Sequence, residues 1–137
     1  MSQITDSSVY NIYTKAKCFK NPGPGAFGIV FLDDAENNIF EYGQAVEMGT
    51  NNTIEYLALI RALELLGSRG ESDVLCNVNS QVVDRQLSGK YYVNNPTLEG
   101  LVGQLREIES SFRSVRYKDV PRDNEWIERA RDIARGI

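Results

Sequence analysis

The chain has 137 residues, enough for one domain with one sizeable core, and its 42% hydrophobic and 25% charged residues fit a globular protein. It contains no histidine, which excludes a Ser-His-Asp triad, a Cys-His pair, a histidine-ligated zinc and a histidine general base. A net charge of −4 argues against avid nucleic-acid binding by the whole surface, while leaving room for a local basic stripe.

Without histidine, any metal here is expected on oxygen ligands, which favours a hard cation such as Mg²⁺. No apolar run is long enough to span a membrane. The opening MSQITDSS lacks the basic and apolar parts of a secretory signal. Cys18 and Cys76 have no CxxC spacing. The expectation is a single cytoplasmic domain over residues 1–137, with reduced thiols and no membrane partner.

Val9 to Phe19 is β-branched and aromatic, and predicts a strand with Tyr10, Ile12 and Thr14 on one face. Lys20 to Gly25 (KNPGPG) is a rigid turn, because prolines fix φ and glycines permit positive φ. Ala26 to Asp33 and Ile39 to Glu47 predict two further strands, making an antiparallel meander.

Gly49 to Leu66 predicts the longest helix, stopped by Gly67-Ser68-Arg69-Gly70. At about 100° per residue, Ile54, Ala58, Leu59, Ala62, Leu63, Leu65 and Leu66 share one broad arc. Glu55 projects into the middle of that arc. A carboxylate aimed at a core is costly unless it is paired, hydrogen-bonded or part of a site. A capping box, with Asn52 as N-cap and Glu55 reaching back to its amide, is one explanation; a rigidly held site residue is another, and the two can coexist.

Asp73 to Val78 predicts a short buried strand, and Asn79-Ser80 then starts a helix. Tyr91 to Asn95 reads as a linker. Asn95-Pro96 opens a helix running to about Phe112, with Leu98, Leu101, Val102, Leu105 and Ile108 on its apolar side. Ser114 to Val120 predicts the fifth strand, stopped by Pro121. A last helix from about Asp123 is expected to bury Trp126, Ile127, Ala130, Ile133 and Ala134. The order βββ-α-β-α-α-β-α predicts an α/β fold, a mixed five-stranded sheet covered by helices.

This order and four motifs resemble the type 1 ribonuclease H family and the wider ribonuclease H–like fold. The motifs are Asn21 to Gly25 (NPGPG), Thr50-Asn51-Asn52 with Glu55, Asn79-Ser80-Gln81 leading into Gln86 to Leu98, and Val120 to Arg122 before the terminal helix. The resemblance covers nearly the whole chain. It implies cleavage of the RNA strand of RNA–DNA hybrids by four carboxylates and two Mg²⁺ ions.

Transferred residue by residue, that set is broken. The first acid falls on Lys15, where the chain reads YTKAK and members usually read YTDG. The second is Glu55. The third falls on Asn79, which also suits a turn or helix cap. The fourth falls on Glu128, counted from Asn124, with Asp132 a possible substitute; on a helical wheel Glu128 lies opposite the apolar face. One lysine, one asparagine and two glutamates leave a formal charge of −1 at these positions. Lys15 could place its ammonium where a metal would bind, or be an ordinary exposed strand lysine.

The resemblance also implies contacts to the RNA backbone and its 2′-hydroxyls by Asn21, Asn51 and Asn52 with Gln81 nearby, and to a DNA-strand phosphate by Thr50 and Asn95. For Asn21 and Asn52, turn and cap chemistry is an equal explanation. Lys15, Lys17 and Lys20 add positive charge to the same edge, and Arg113, Arg116, Lys118 and Arg122 form a possible second patch. The expected partner is an RNA–DNA hybrid or another double-stranded nucleic acid. The expected chemistry is little or no two-metal cleavage, with no cofactor. The rivals are an active ribonuclease H using Mg²⁺ or Mn²⁺ on Glu55, Glu128 and Asp132, and a protein-interaction module.

Overall fold

The computed structural model describes residues 9–67, 69–90 and 92–137. The opening MSQITDSS, Ser68 of the glycine stop and Tyr91 of the linker lie outside the described residues. The elements are β1 (Val9–Cys18), β2 (Gly23–Leu32), β3 (Asn38–Gly49), α1 (Asn51–Leu66), β4 (Arg69–Val78), α2 (Gln81–Leu87), α3 (Pro96–Glu109), β5 (Phe112–Asp119) and α4 (Glu125–Arg135). They form one five-stranded sheet in the order β3-β2-β1-β4-β5. β1, β2 and β3 pair antiparallel, while β1–β4 and β4–β5 pair parallel.

Period-two alternation divides the sheet between two helical layers. Tyr10, Ile12 and Ala16 of β1 and Phe27, Ile29 and Phe31 of β2 pack in the main core with Ile54, Ala58, Leu59, Ala62 and Leu63 of α1. Fully burying each large aliphatic side chain contributes about 1.5–3 kcal/mol. α3 covers α1 with Leu98 and Leu105. The alternate residues Val30 and Leu32 meet Ala130 of α4 on the other face, with Tyr13, Trp126 and Ile133 against them. Tyr13 and, two residues on, Lys15 therefore belong to the α4 face.

α1 begins two residues earlier than a cap at Asn52 requires. Thr50 is the N-cap: its hydroxyl accepts from Thr53 N at 3.1 Å, and Thr53 Oγ1 accepts from Thr50 N at 2.8 Å. Two hydroxyls satisfy these helix-end donors, so the expected Asn52–Glu55 capping box does not form. Gly67 closes the helix at φ 79°, its N–H donating to Leu63 O. In α4, Ile127, Ala130 and Ala134 are buried as expected, but Trp126 and Ile133 remain partly exposed and Arg131 takes a buried place.

Candidate functional site

The sheet has a point where its connections diverge. β1 leads to β2 on one side, and β4 leads through α2 and α3 to β5 on the other. A crevice opens at the carboxyl ends of strands at such a point. β1 also outruns its neighbour: its pairing with β4 stops at Thr14↔Val78, while its pairing with β2 continues to Cys18↔Gly25. The last residues of β1 thus present an edge free of β4. A cleft of about 360 Å³ lies there.

Glu55 meets that free edge from the α1 side. Its Oε1 accepts from Ala16 N at 2.6 Å, and its Oε2 is buried with no hydrogen-bond partner. The residue is 4% exposed. Burial pushes its carboxyl from 4.5 up to about 7, against the opposing effects of the Ala16 N–H and Lys15. The core-facing projection of Glu55 is therefore real, and its partner is a strand amide, not a cap.

Lys15 is half-buried, and its Nζ donates to Asn79 Oδ1 at 3.0 Å. Asn79 Nδ2 donates in turn to Val120 O at 2.9 Å. The two bonds fix the amide with its oxygen toward Lys15. The helix cap at this point is Ser80, whose side chain accepts from Val83 N, so Asn79 is not the cap. Burial lowers the Lys15 pKa, Glu55 opposes this, and Arg131, Arg122 and Lys17 lower it further.

The cleft is cationic. Lys15, Lys17, Arg122, Arg131 and Arg135 line it, and Glu55 is the one carboxylate among its lining residues. Arg131 is 9% exposed, and its NH2 donates to Arg122 O at 3.0 Å. Glu128 and Asp132 are exposed on α4, and neither lines the cleft. The count from Asn124 thus leads to the solvent side of α4, while Arg131 reaches the cleft.

Asn51 and Asn52 form a wall shared with a second, larger groove of about 900 Å³. Asn21, Thr50 and Asn95 line that groove with Met48, Leu57 and Leu101. Asn21 Oδ1 accepts from Asn51 N at 3.1 Å, tying the turn after β1 to the start of α1. Asn95 caps α3, accepting from Thr97 N at 2.8 Å and Leu98 N at 3.2 Å. Gln81 is exposed at the start of α2 and lines neither space.

Of the second basic patch, Arg122 joins the cleft, Arg113 pairs with Asp73, and Arg116 and Lys118 are exposed on β5. Arg131 and Arg135 join the cleft although no sequence motif marks them as site residues. The sign was present for Arg131: it stands four residues after Ile127 on the stripe completed by Ala130 and Ala134, the same anomaly that singles out Glu55.

The metal pair implied by the resemblance can be tested against the donors present. Mg²⁺ and Mn²⁺ sites are built from carboxylates, carbonyls and water. Among the described residues no three Asp, Glu or Cys side chains stand together to hold a metal. A divalent ion about 4 Å from an ammonium meets repulsion of roughly 8 kcal/mol at an effective dielectric near 20. One carboxylate among five cationic side chains does not fit two divalent ions.

Three comparisons agree with this architecture. A family model described as reverse transcriptase-like matches residues 13–131. Ribonuclease HI of Halobacterium salinarum is 36% identical over 102 residues, covering 74% of this chain and 51% of that protein. A bifunctional protein of Mycobacterium tuberculosis is 34% identical over 113 residues, 82% of this chain and 29% of its own length. The chain thus spans about half or less of these curated relatives. The crystal structure of the Halobacterium salinarum RNase H1 superposes with a TM-score of 0.85 at 33% identity, covering 93% of this chain and 95% of that one. LC11-RNase H1 in complex with an RNA/DNA hybrid also reaches 0.85, at 32% identity, covering 93% and 94%. This chain therefore belongs to the reverse transcriptase-like family and is a ribonuclease H–like domain.

Proposed function

We propose that this chain binds RNA–DNA hybrid, or a double helix of similar shape, and does not cleave it by two-metal hydrolysis. The observation that carries the reading is the charge of the cleft: Lys15, Lys17, Arg122, Arg131 and Arg135 surround a single carboxylate, Glu55. Two-metal catalysis needs acids that clamp cations. Cations in that place repel metal ions and attract a phosphate backbone.

The adjoining groove supports the binding half of the reading. Asn21, Thr50, Asn51 and Asn52 stand at the N-terminus of a 16-residue helix, where amides and hydroxyls suit phosphate and 2′-OH groups. The neighbour LC11-RNase H1 is complexed with an RNA/DNA hybrid, and it shares this fold over most of its length. The alternative of cleavage through Glu55, Glu128 and Asp132 is disfavoured because the last two are exposed outside the cleft.

The test is fluorescence anisotropy with a labelled hybrid at low and rising salt, beside a cleavage assay in Mg²⁺ and in Mn²⁺. Binding that weakens with salt, with no cleavage, is expected. Robust metal-dependent turnover would overturn the reading. Failure to bind hybrid, duplex RNA or single strands at low salt would favour the protein-interaction alternative.

A further inference from the structure

We infer that the cleft between β1, α1 and α4 is itself a phosphate-binding pocket, in which Lys15 and Arg131, flanked by Lys17, Arg122 and Arg135, take the oxygens of a phosphate group directly and without a metal ion. This deepens the hybrid-binding reading and rests on it only for the source of the phosphate.

Three observations carry the assignment. The first is unmet charge. Among the described residues, none of these five cations forms an ion pair with a carboxylate. The Lys15 ammonium is held by a neutral amide oxygen, that of Asn79. Gathering five cations around one carboxylate in one concave space is unfavourable, and a bound anion relieves it.

The second observation is Arg131. It is nine-tenths buried, and its Nε has no hydrogen-bond partner. Its bond to the Arg122 carbonyl holds the guanidinium in place beside the cleft. A fixed guanidinium fork and a nearby ammonium are the pairing that recognises phosphate, the fork by geometry and the ammonium as a point charge.

The third observation is the wall. Asn51 and Asn52 are the first two residues of α1, so the positive end of that helix adjoins the cleft. The same two residues wall the groove proposed for the nucleic acid. A strand lying in the groove can thus deliver a phosphate to the pocket without leaving its track. The phosphate is either an internal phosphodiester or a terminal phosphomonoester; both present the non-bridging oxygens that this donor set recognises.

The test begins with inorganic phosphate titrated into the full chain, in EDTA and at ionic strength matched with chloride, followed by calorimetry. Saturable binding that survives EDTA is expected. Arg131→Gln should weaken it by about tenfold, the loss expected of one charge-assisted hydrogen bond. Because Arg131 is buried, Lys17→Gln and Arg135→Gln serve as variants outside the core, and each should weaken it too.

Absence of saturation, or affinity unchanged from the parent chain in all three variants, overturns the pocket. Hybrid binding that persists without phosphate saturation overturns the pocket alone. Phosphate saturation without hybrid binding upholds the pocket and overturns the hybrid reading. In the last arm, hybrids with 5′-phosphate and 5′-hydroxyl ends are compared at equal salt. Tighter binding of the phosphorylated end, abolished by Arg131→Gln, identifies a terminal phosphate. Binding indifferent to the end, yet weakened by Arg131→Gln, identifies an internal one.

Discussion

Lys15 and Asn79 are joined by a 3.0 Å hydrogen bond across the opening between β1 and β4, and Asn79 passes the chain on to the Val120 carbonyl. The two positions at which the resemblance implies acids are thus partners. An aspartate at 79 would have no N–H for Val120 O. The amide bridges a cation and a carbonyl, which a carboxylate cannot do.

Asn79→Asp exchanges one interaction for another. It loses the bond to the Val120 carbonyl, costing about 1–3 kcal/mol for a buried acceptor left unpaired. It gains an ion pair with half-buried Lys15. A net change within about 1 kcal/mol is expected from these opposed terms. Urea unfolding of the variant measures it.

Introducing acids stepwise, two and then three, should expose the role of Arg131. Lys15→Asp with Asn79→Asp still leaves Arg131 and Lys17 in the cleft, so Mn²⁺ binding by calorimetry should remain weak. Adding Arg131→Asp brings the cleft to four acids with Glu55, and measurable Mn²⁺ binding should appear. Equal binding by the double and triple variants would show that Arg131 does not oppose the ion.

Glu55 predicts a pH dependence of stability. Its carboxyl is raised from 4.5 to about 7 in the folded chain. Between these values the folded state holds the proton that the unfolded state has lost, so stability falls as pH rises through this window. The full cost, roughly 3 kcal/mol for such a shift, is reached above pH 7. Glu55→Gln keeps an oxygen for Ala16 N and carries no charge. Urea unfolding at pH 5, 6, 7 and 8 should show the variant gaining on the parent as pH rises. Asp73, held at about 2 by Arg113 and Ser114, is ionised throughout and adds nothing to this slope.

Gly28 sets where Arg131 sits. A Cβ there would collide with the Ala130 carbonyl and with Ile133 Cβ, because α4 lies directly on β2. Gly28→Ala should lower stability by about 1–3 kcal/mol, as overpacking does, and displace α4. A loss of phosphate or hybrid affinity beyond the loss of stability, measured well below Tm, would show that this close approach positions the cleft.

Thr50→Ala removes the N-cap hydroxyl that accepts from Thr53 N. A loss of about 1 kcal/mol is expected. Asn21→Ala instead frees the Asn51 N–H at the exposed start of α1. It should leave stability nearly unchanged while weakening hybrid binding. Thermal melts beside anisotropy separate the two effects.

The order of elements, their faces and the anomalous burial of Glu55 were legible in the chain because they depend on short-range rules. Alternation in β1, the NPGPG turn and the apolar arc of α1 each act within a few residues. The cap shifted from Asn52 to Thr50 because two hydroxyls three residues apart satisfied each other, which left Glu55 for Ala16 N. The gathering of charges could not be read locally. Lys15 and Lys17 come from β1, Arg122 from the segment after β5, and Arg131 and Arg135 from α4. They meet only because β1 pairs parallel with β4 and α4 crosses back over β2 at a glycine. Counting from Asn124 pointed to Glu128, which tertiary packing leaves in solvent; the same packing turns Arg131 inward, since its side of α4 is the one pressed against the sheet.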